Sequence, residues 1–273
     1  MNIGMIGTGN MGSVLIHAFM KSSAVDPGHL FITNRTLRKA QELKNQYPDV
    51  QLAETPEEVA ETADIVFVCV KPLDIQPLLE TLRPKLSRDK LLVSITSPVT
   101  VKELESVVDC GVARAIPSIT NRVLAGVSLI TFGMSCEERH KERLLELMRH
   151  VSKPLEIEES ITRIASDIVS CGPAFYTYLT ERFIQSAVQE TDVTYEQATA
   201  FCTEMLIGIG RLLEQQVYTL PELRKKVTVK GGVTGEGLSA LEEDVGDMFN
   251  HLIQKTHAKY VEDREKVKKQ FRM

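Results

Sequence analysis

No stretch of this sequence approaches the ~18 consecutive apolar residues of a membrane-spanning helix. The N-terminus MNIGMIGTGNMG also lacks a basic segment followed by an apolar core. A cytoplasmic chain with no membrane partner is therefore expected. Cysteine is sparse: Cys69, Cys110, Cys136, Cys171 and Cys202 are odd in number, widely spaced and never in a CxxC pair. That excludes a disulfide framework and implies a reduced, intracellular protein. The six histidines form no HExxH and no cluster with ligand spacing, so no metal site is expected. There is no basic excess either, and a net charge of -5 gives no general attraction to nucleic acid. What remains is an ordinary globular composition, 43% hydrophobic and 25% charged, in a chain long enough for one large or two medium domains.

The order of patterns divides it. Up to about Ile157, β-branched runs (IGMIG, LFITN, ADIVFVCV, KLLVSIT, GVARAIP, VSLITFG) alternate with segments long enough to be helices. This predicts an α/β, doubly wound (Rossmann-type) parallel sheet with its ligand at the carboxyl ends of the strands. After Glu158 the apolar spacing turns to three and four residues, as in SDIVSCGPAFYTYLTERFIQSAVQE, and predicts only helices. The boundary is expected near Ser160, giving residues 1–160 for the cofactor and an all-helical 161–273. Apolar faces such as Met205, Leu206, Ile209 and Leu212 are buried either within one chain or against a second copy.

Gly7-Thr8-Gly9-Asn10-Met11-Gly12 is a GxGxxG directly after the first strand and opening the first helix. Gly7 permits the tight turn, Gly9 lets backbone approach a pyrophosphate, and Gly12 allows close helix packing. The second strand ends at Asn34-Arg35-Thr36, where a ribose is read, and no acidic residue stands there. Arg35, flanked by Asn34 and Thr36, offers charge and donors to a 2′-phosphate, which favours NADP(H) over NAD(H). Val70-Lys71-Pro72 falls on the same ligand edge, with Pro72 stopping the strand.

The stretch VTVKGGVTGEGL, Val227 to Leu238, is out of place among helices. Its glycines either end a helix or bring backbone close to a ligand.

With these segments in hand, the sequence resembles the pyrroline-5-carboxylate reductase family along essentially its whole length. It is most similar to the divergent ComER late-competence branch. The resemblance rests on the GxGxxG, Val70-Lys71-Pro72, Ser94-Ile95, Arg114 to Pro117, Cys171 to Phe175, and Thr228 to Thr234 followed by Gly237-Leu238 and Leu241-Glu242. It implies hydride transfer from NADPH to a small cyclic imine acid, 1-pyrroline-5-carboxylate, giving L-proline in a homodimer whose C-terminal helices form the dimerisation domain. It also implies that the backbone at Gly231, Gly232, Val233 and Thr234 holds the substrate carboxylate. Thr234 then stands near the ring nitrogen as the catalytic hydroxyl; a plain helix cap is the other reading of that threonine. Such chemistry asks mainly for orientation, in keeping with the lack of a histidine or paired-carboxylate constellation.

Departures from the family pattern gather at the expected pocket: Val229-Lys230 before the double glycine, Ser118-Ile119-Thr120 after Pro117, Thr96-Ser97-Pro98 after Ile95, and Cys171 before Gly172. They keep a second function open, a cofactor-binding regulatory protein with little catalysis, linked to competence or development. Lys230 either attracts a second anionic group or extends into solvent. Cys171 has no partner identifiable from sequence and reads as a small packing residue.

Overall fold

The computed structural model describes residues 1–272. Eight strands, β1 (Ile3–Ile6), β2 (Leu30–Thr33), β3 (Gln51–Leu52), β4 (Ile65–Val68), β5 (Leu91–Ser94), β6 (Gly111–Ile116), β7 (Val127–Phe132) and β8 (Lys153–Glu156), form one sheet in the order β3-β2-β1-β4-β5-β6-β7-β8. Strands buried on both faces read as unbroken apolar runs, which is why IGMI, IVFV and LLVS are buried throughout.

Six helices connect these strands: α1 (Asn10–Ser22), α2 (Leu37–Gln46), α3 (Pro56–Thr62), α4 (Pro72–Leu82), α5 (Val101–Glu105) and α6 (Glu138–Arg149). Leu15, Phe19, Leu43, Leu144 and Leu147 pack on one face of the sheet, and Val59, Leu79 and Leu104 belong to the other. One pairing departs from an all-parallel sheet, because β7 runs antiparallel to β6. The link between them is a 3₁₀ turn, Ile119–Val123, rather than a crossover helix, so the chain simply reverses.

Helices follow β8: α7 (Thr162–Ser166), a π turn over Asp167–Cys171, α8 (Gly172–Glu190), α9 (Tyr195–Glu214), α10 (Leu220–Val227), α11 (Val233–Val245) and α12 (Met248–Phe271). The compact units do not divide where strand patterning stops. The first comprises Met1–Pro173 together with the chain from Lys255 onward, and the second is Ala174–Gln254. The physical reason is the end of α12. Val267 and Phe271 are buried in the same apolar cluster as Leu82 and Leu104, so this tail completes the core of the sheet. Ser160 lies just beyond the sheet, which ends at Glu156, and inside the first unit.

The second unit has a small core of its own, Ile184, Ala198 and Cys202. Thr194 with Gln197 and Thr219 with Glu222 form capping boxes that start α9 and α10. Large apolar side chains stay outside, Phe183 at 65% and Phe201 at 66% exposure, with Met205 and Leu206 also exposed.

Candidate functional site

Strand order changes direction at β1, whose neighbours are β2 and β4. A doubly wound sheet opens a crevice at such a point. Here it is a cavity of about 650 Å³ lined by Gly7 and Gly9 after β1, Asn34 to Leu37 and Lys39 after β2, and Cys69, Val70, Lys71 and Asp74 after β4.

The glycine turn is built as its spacing predicts. Gly7 has φ +105°, and a Cβ there would sit 2.6 Å from the Cys69 carbonyl oxygen. A Cβ on Gly12 would lie 2.1 Å from the Gly7 oxygen, so α1 can start against the turn only with glycine at that position. Gly9 differs: a Cβ there would meet nothing within 4 Å. Its freedom serves whatever approaches from the cavity, and the backbone amides of Asn10 and Met11 open α1 just behind it. Thr8 is buried, and its hydroxyl has no partner among the described residues. Its amide donates to Asn34 Oδ1 at 3.0 Å. An open glycine edge, the orphaned Thr8 hydroxyl and a helix N-terminus together fit a pyrophosphate.

At the β2 end the roles of the three expected residues separate. The Asn34 amide also donates to the Thr36 carbonyl at 3.0 Å, so its side chain is spent in bracing the turn. Arg35 extends from the edge, its side chain 87% exposed, with Asp74 3.9 Å away on α4. Lys39 lines the same cavity. Sequence reasoning missed it, because Arg35 precedes the helix and only the turn through Thr36 brings the third residue of α2 to the same cavity. Arg35, Lys39 and Thr36 thus share the cavity with Lys71 and with the carboxylates Glu54 and Asp74. Lys71 caps α4 and Pro72 is its first residue; β4 has already ended at Val68, so this proline starts a helix rather than stopping the strand. Burial pushes the Cys69 thiol far up, which keeps it a neutral lining group.

The loop after β6 is tied to the π turn. Ser118 Oγ donates to the Val169 carbonyl, and Ser170 Oγ donates to the Pro117 carbonyl, both at 2.8 Å. Asn121, fully buried, caps the 3₁₀ turn by accepting the Ser118 amide at 2.8 Å. Cys171 has a partner invisible in the sequence: Arg163 Nη2 lies 3.4 Å from its sulfur.

In the second unit, Gly231, Gly232, Val233 and Thr234 are gathered at the start of α11. Gly231 has φ +73°, a left-handed conformation open to glycine. Gly232, not Thr234, is the N-cap, so the threonine stands at the second helical position with its side chain exposed. The amides of Val233 and Thr234 are first-turn donors with no preceding helical carbonyl. Lys230 is exposed, and the Thr228 hydroxyl is used on the Arg224 carbonyl at 2.7 Å.

The first unit is thus a dinucleotide crevice of the doubly wound class. Residues 2–98 match the family described as NADP oxidoreductase coenzyme F420-dependent, and residues 159–263 match pyrroline-5-carboxylate reductase dimerisation. The chain is 57% identical to ComE operon protein 4 of Bacillus subtilis over 271 residues, 99% of each chain. It is 33% identical to pyrroline-5-carboxylate reductase 3 of the same organism over 269 residues, 98% of each. Among solved structures, a pyrroline-5-carboxylate reductase from Coxiella burnetii superposes with a TM-score of 0.83 at 25% identity, covering 97% of this chain and 98% of that one. The Plasmodium falciparum pyrroline carboxylate reductase with NADP bound superposes at 0.82 with 22% identity, covering 99% and 98%. This chain belongs to the pyrroline-5-carboxylate reductase family. Among the described residues no helix is long and apolar enough to cross a membrane.

Proposed function

We propose that this chain reduces 1-pyrroline-5-carboxylate, or a closely similar cyclic imine acid, to L-proline with NADPH, as a cytoplasmic homodimer. The observation that carries the reading is the start of α11. Gly231 and Gly232 clear side chains from a helix N-terminus whose Val233 and Thr234 amides are free to hold a carboxylate. Family membership adds that such an imine acid is the substrate named for relatives with this fold.

When bound, NADPH supplies the hydride that reduces the C=N bond. Gly7, Gly9 and the first amides of α1 hold the pyrophosphate, and Arg35 and Lys39 hold the 2′-phosphate. Thr234, beside the carboxylate-binding amides, donates a hydrogen bond to the ring nitrogen and so guides its proton. The exposed apolar side chains of the second unit, Phe183, Phe201, Met205 and Leu206, are buried against a second copy.

A second reading has its own support. Identity to ComE operon protein 4 is 57%, against 33% to pyrroline-5-carboxylate reductase 3, and Ser118 is committed to the π turn. On that reading the chain binds NADPH and regulates, with little turnover. The deciding experiment measures NADPH oxidation with pyrroline-5-carboxylate and NADPH affinity on one preparation, with Thr234→Ala and Thr234→Ser alongside. Turnover that falls with Ala and returns with Ser establishes the reductase. Tight NADPH binding with no turnover overturns it in favour of the regulator.

A further inference from the structure

The segment after β5 leaves the sheet beside the cofactor crevice. Val68 and Ser94 are paired in neighbouring strands, and the Ile95 amide donates to the Val68 carbonyl at 3.4 Å. The residues that follow Val68, Cys69 and Val70, line the cavity. Arg35 marks the β2 side as the adenosine end, which leaves the β4–β5 side for the nicotinamide half.

Three successive carbonyls of this segment are held by side chains. Ser97 O accepts from Arg114 at 3.2 Å and from the Tyr260 hydroxyl at 3.4 Å. Pro98 O accepts from Arg264 at 2.7 Å, and Val99 O accepts from Arg114 at 3.3 Å. Two of these donors come from α12, near the far end of the sequence. The same helix reaches the π turn: the Thr256 hydroxyl donates to Asp167 Oδ2 at 2.8 Å, and His257 Nε2 is 3.7 Å from that oxygen. Arg163 closes the set, bonded to Asp167 at 2.7 Å and lying 5.6 Å over the Tyr260 ring.

Thr256, Tyr260 and Arg264 are four residues apart and so share one face of α12. Val267 and Phe271 account for what a covering helix needs, apolar burial. Donors aimed at the backbone of a turn exceed that need. Buried hydrogen bonds to backbone carbonyls fix a loop's conformation rather than add core. The π turn they also brace belongs to a class of helix irregularity that recurs at functional sites.

Resting on the reductase reading, we infer that Arg264 and Tyr260 are positioning residues. They hold Ile95–Val99 in place against the nicotinamide half without touching substrate. Arg264 does so from an anchored position, since it is also paired with Glu103 at 2.5 Å, and Glu103 caps α5 through Thr100.

The test uses the full chain as Arg264→Gln, Arg264→Lys and Tyr260→Phe. Amide hydrogen exchange is read over residues 95–99, with and without NADPH, beside NADPH affinity and the kcat and KM for pyrroline-5-carboxylate. In Arg264→Gln, exchange over 95–99 rises about tenfold and kcat falls about tenfold, because sub-ångström misplacement is costly in hydride transfer. Exchange over 7–12 and NADPH affinity stay within about twofold, since the pyrophosphate turn is untouched. Arg264→Lys recovers part of both losses, and Tyr260→Phe gives the smaller change. Exchange that rises equally throughout the first unit overturns the inference, as does local loosening with kcat unchanged. If the wild type does not turn over the imine, the reductase reading fails separately. The inference then stands only if NADPH protects 95–99 in the wild type and not in Arg264→Gln.

Discussion

The guanidinium of Arg114 and the carboxylate of Glu159 meet at 2.9 Å, the arginine with no exposed surface and the glutamate partly in solvent. Arg114 also donates to Ser97 O, Val99 O, Thr131 Oγ1 and Thr162 Oγ1, the last at 2.6 Å. Burial lowers its pKa, and the facing Glu159 opposes the shift. One side chain on β6 thus ties together the segment after β5, β7 and the first helix beyond the sheet. Removing it strands several buried acceptors at once. Arg114→Ala is expected to cost about 3–5 kcal/mol, and Arg114→Lys less, measured by denaturant unfolding. A loss below about 1 kcal/mol for the alanine variant would falsify this account of the network.

The glycines of the first turn separate folding from binding. Gly12→Ala places a methyl 2.1 Å from the Gly7 oxygen, so it is expected to lower the thermal midpoint and NADPH affinity together. Gly9→Ala meets no protein atom. It should leave the midpoint nearly unchanged while weakening NADPH by about tenfold or more, because only the approach of the pyrophosphate is blocked. Calorimetry and fluorescence titration on both variants distinguish the two.

Cofactor choice should respond to three charges at one edge. Arg35→Ala and Lys39→Ala are each expected to weaken NADPH about tenfold, the size of one charge-assisted bond, with NADH unaffected. Asp74, 3.9 Å from Arg35, competes with the 2′-phosphate for that arginine. Asp74→Asn should therefore tighten NADPH by a few-fold at low salt, and less as salt screens the pair. Equal effects on NADH and NADPH would remove the 2′-phosphate from the explanation.

His17 gives the fold a pH response. Burial lowers its pKa below 6.5, and the charge of Arg122 lowers it further, while Nδ1 is bonded to the Tyr47 hydroxyl at 2.7 Å. The unfolded chain therefore takes up the proton first as pH falls. His17 should cost nothing above about pH 7, where both states are neutral. Stability should decline as pH drops below 6.5 and level off once the folded-state pKa is passed. His17→Gln should flatten that part of the thermal midpoint against pH. An unchanged slope in the variant would show that other groups carry the effect.

Much of the first unit was legible because β1, β2 and β4 to β7 are short, largely apolar runs between turn signals. β3 and β8 were not legible: the first is two residues long, and the second, KPLE, carries a lysine, a proline and a glutamate at the sheet's edge. The reversal of β7 was hidden too, since its residues read as one more buried strand and direction depends on the connection before it. Around the crevice, the geometry of the glycine turn and the placement of Arg35 at its edge were readable from spacing. Partners set by an irregular turn or by tertiary packing were not, such as Arg163 for Cys171 eight positions on through a π turn, or Tyr260 for Ser97 across 163 positions. Periodicity reports which face a residue occupies; it carries no information on which distant backbone will meet it.

The return of α12 to the first unit has a consequence for biosynthesis. Val267 and Phe271, which complete one face of the sheet, leave the ribosome only after all of 174–254 has been made. The nucleotide-binding half, although most of it is synthesised before 174–254, must wait with an open apolar face until α12 emerges. A chain interrupted before α12 would thus damage the half that was synthesised first.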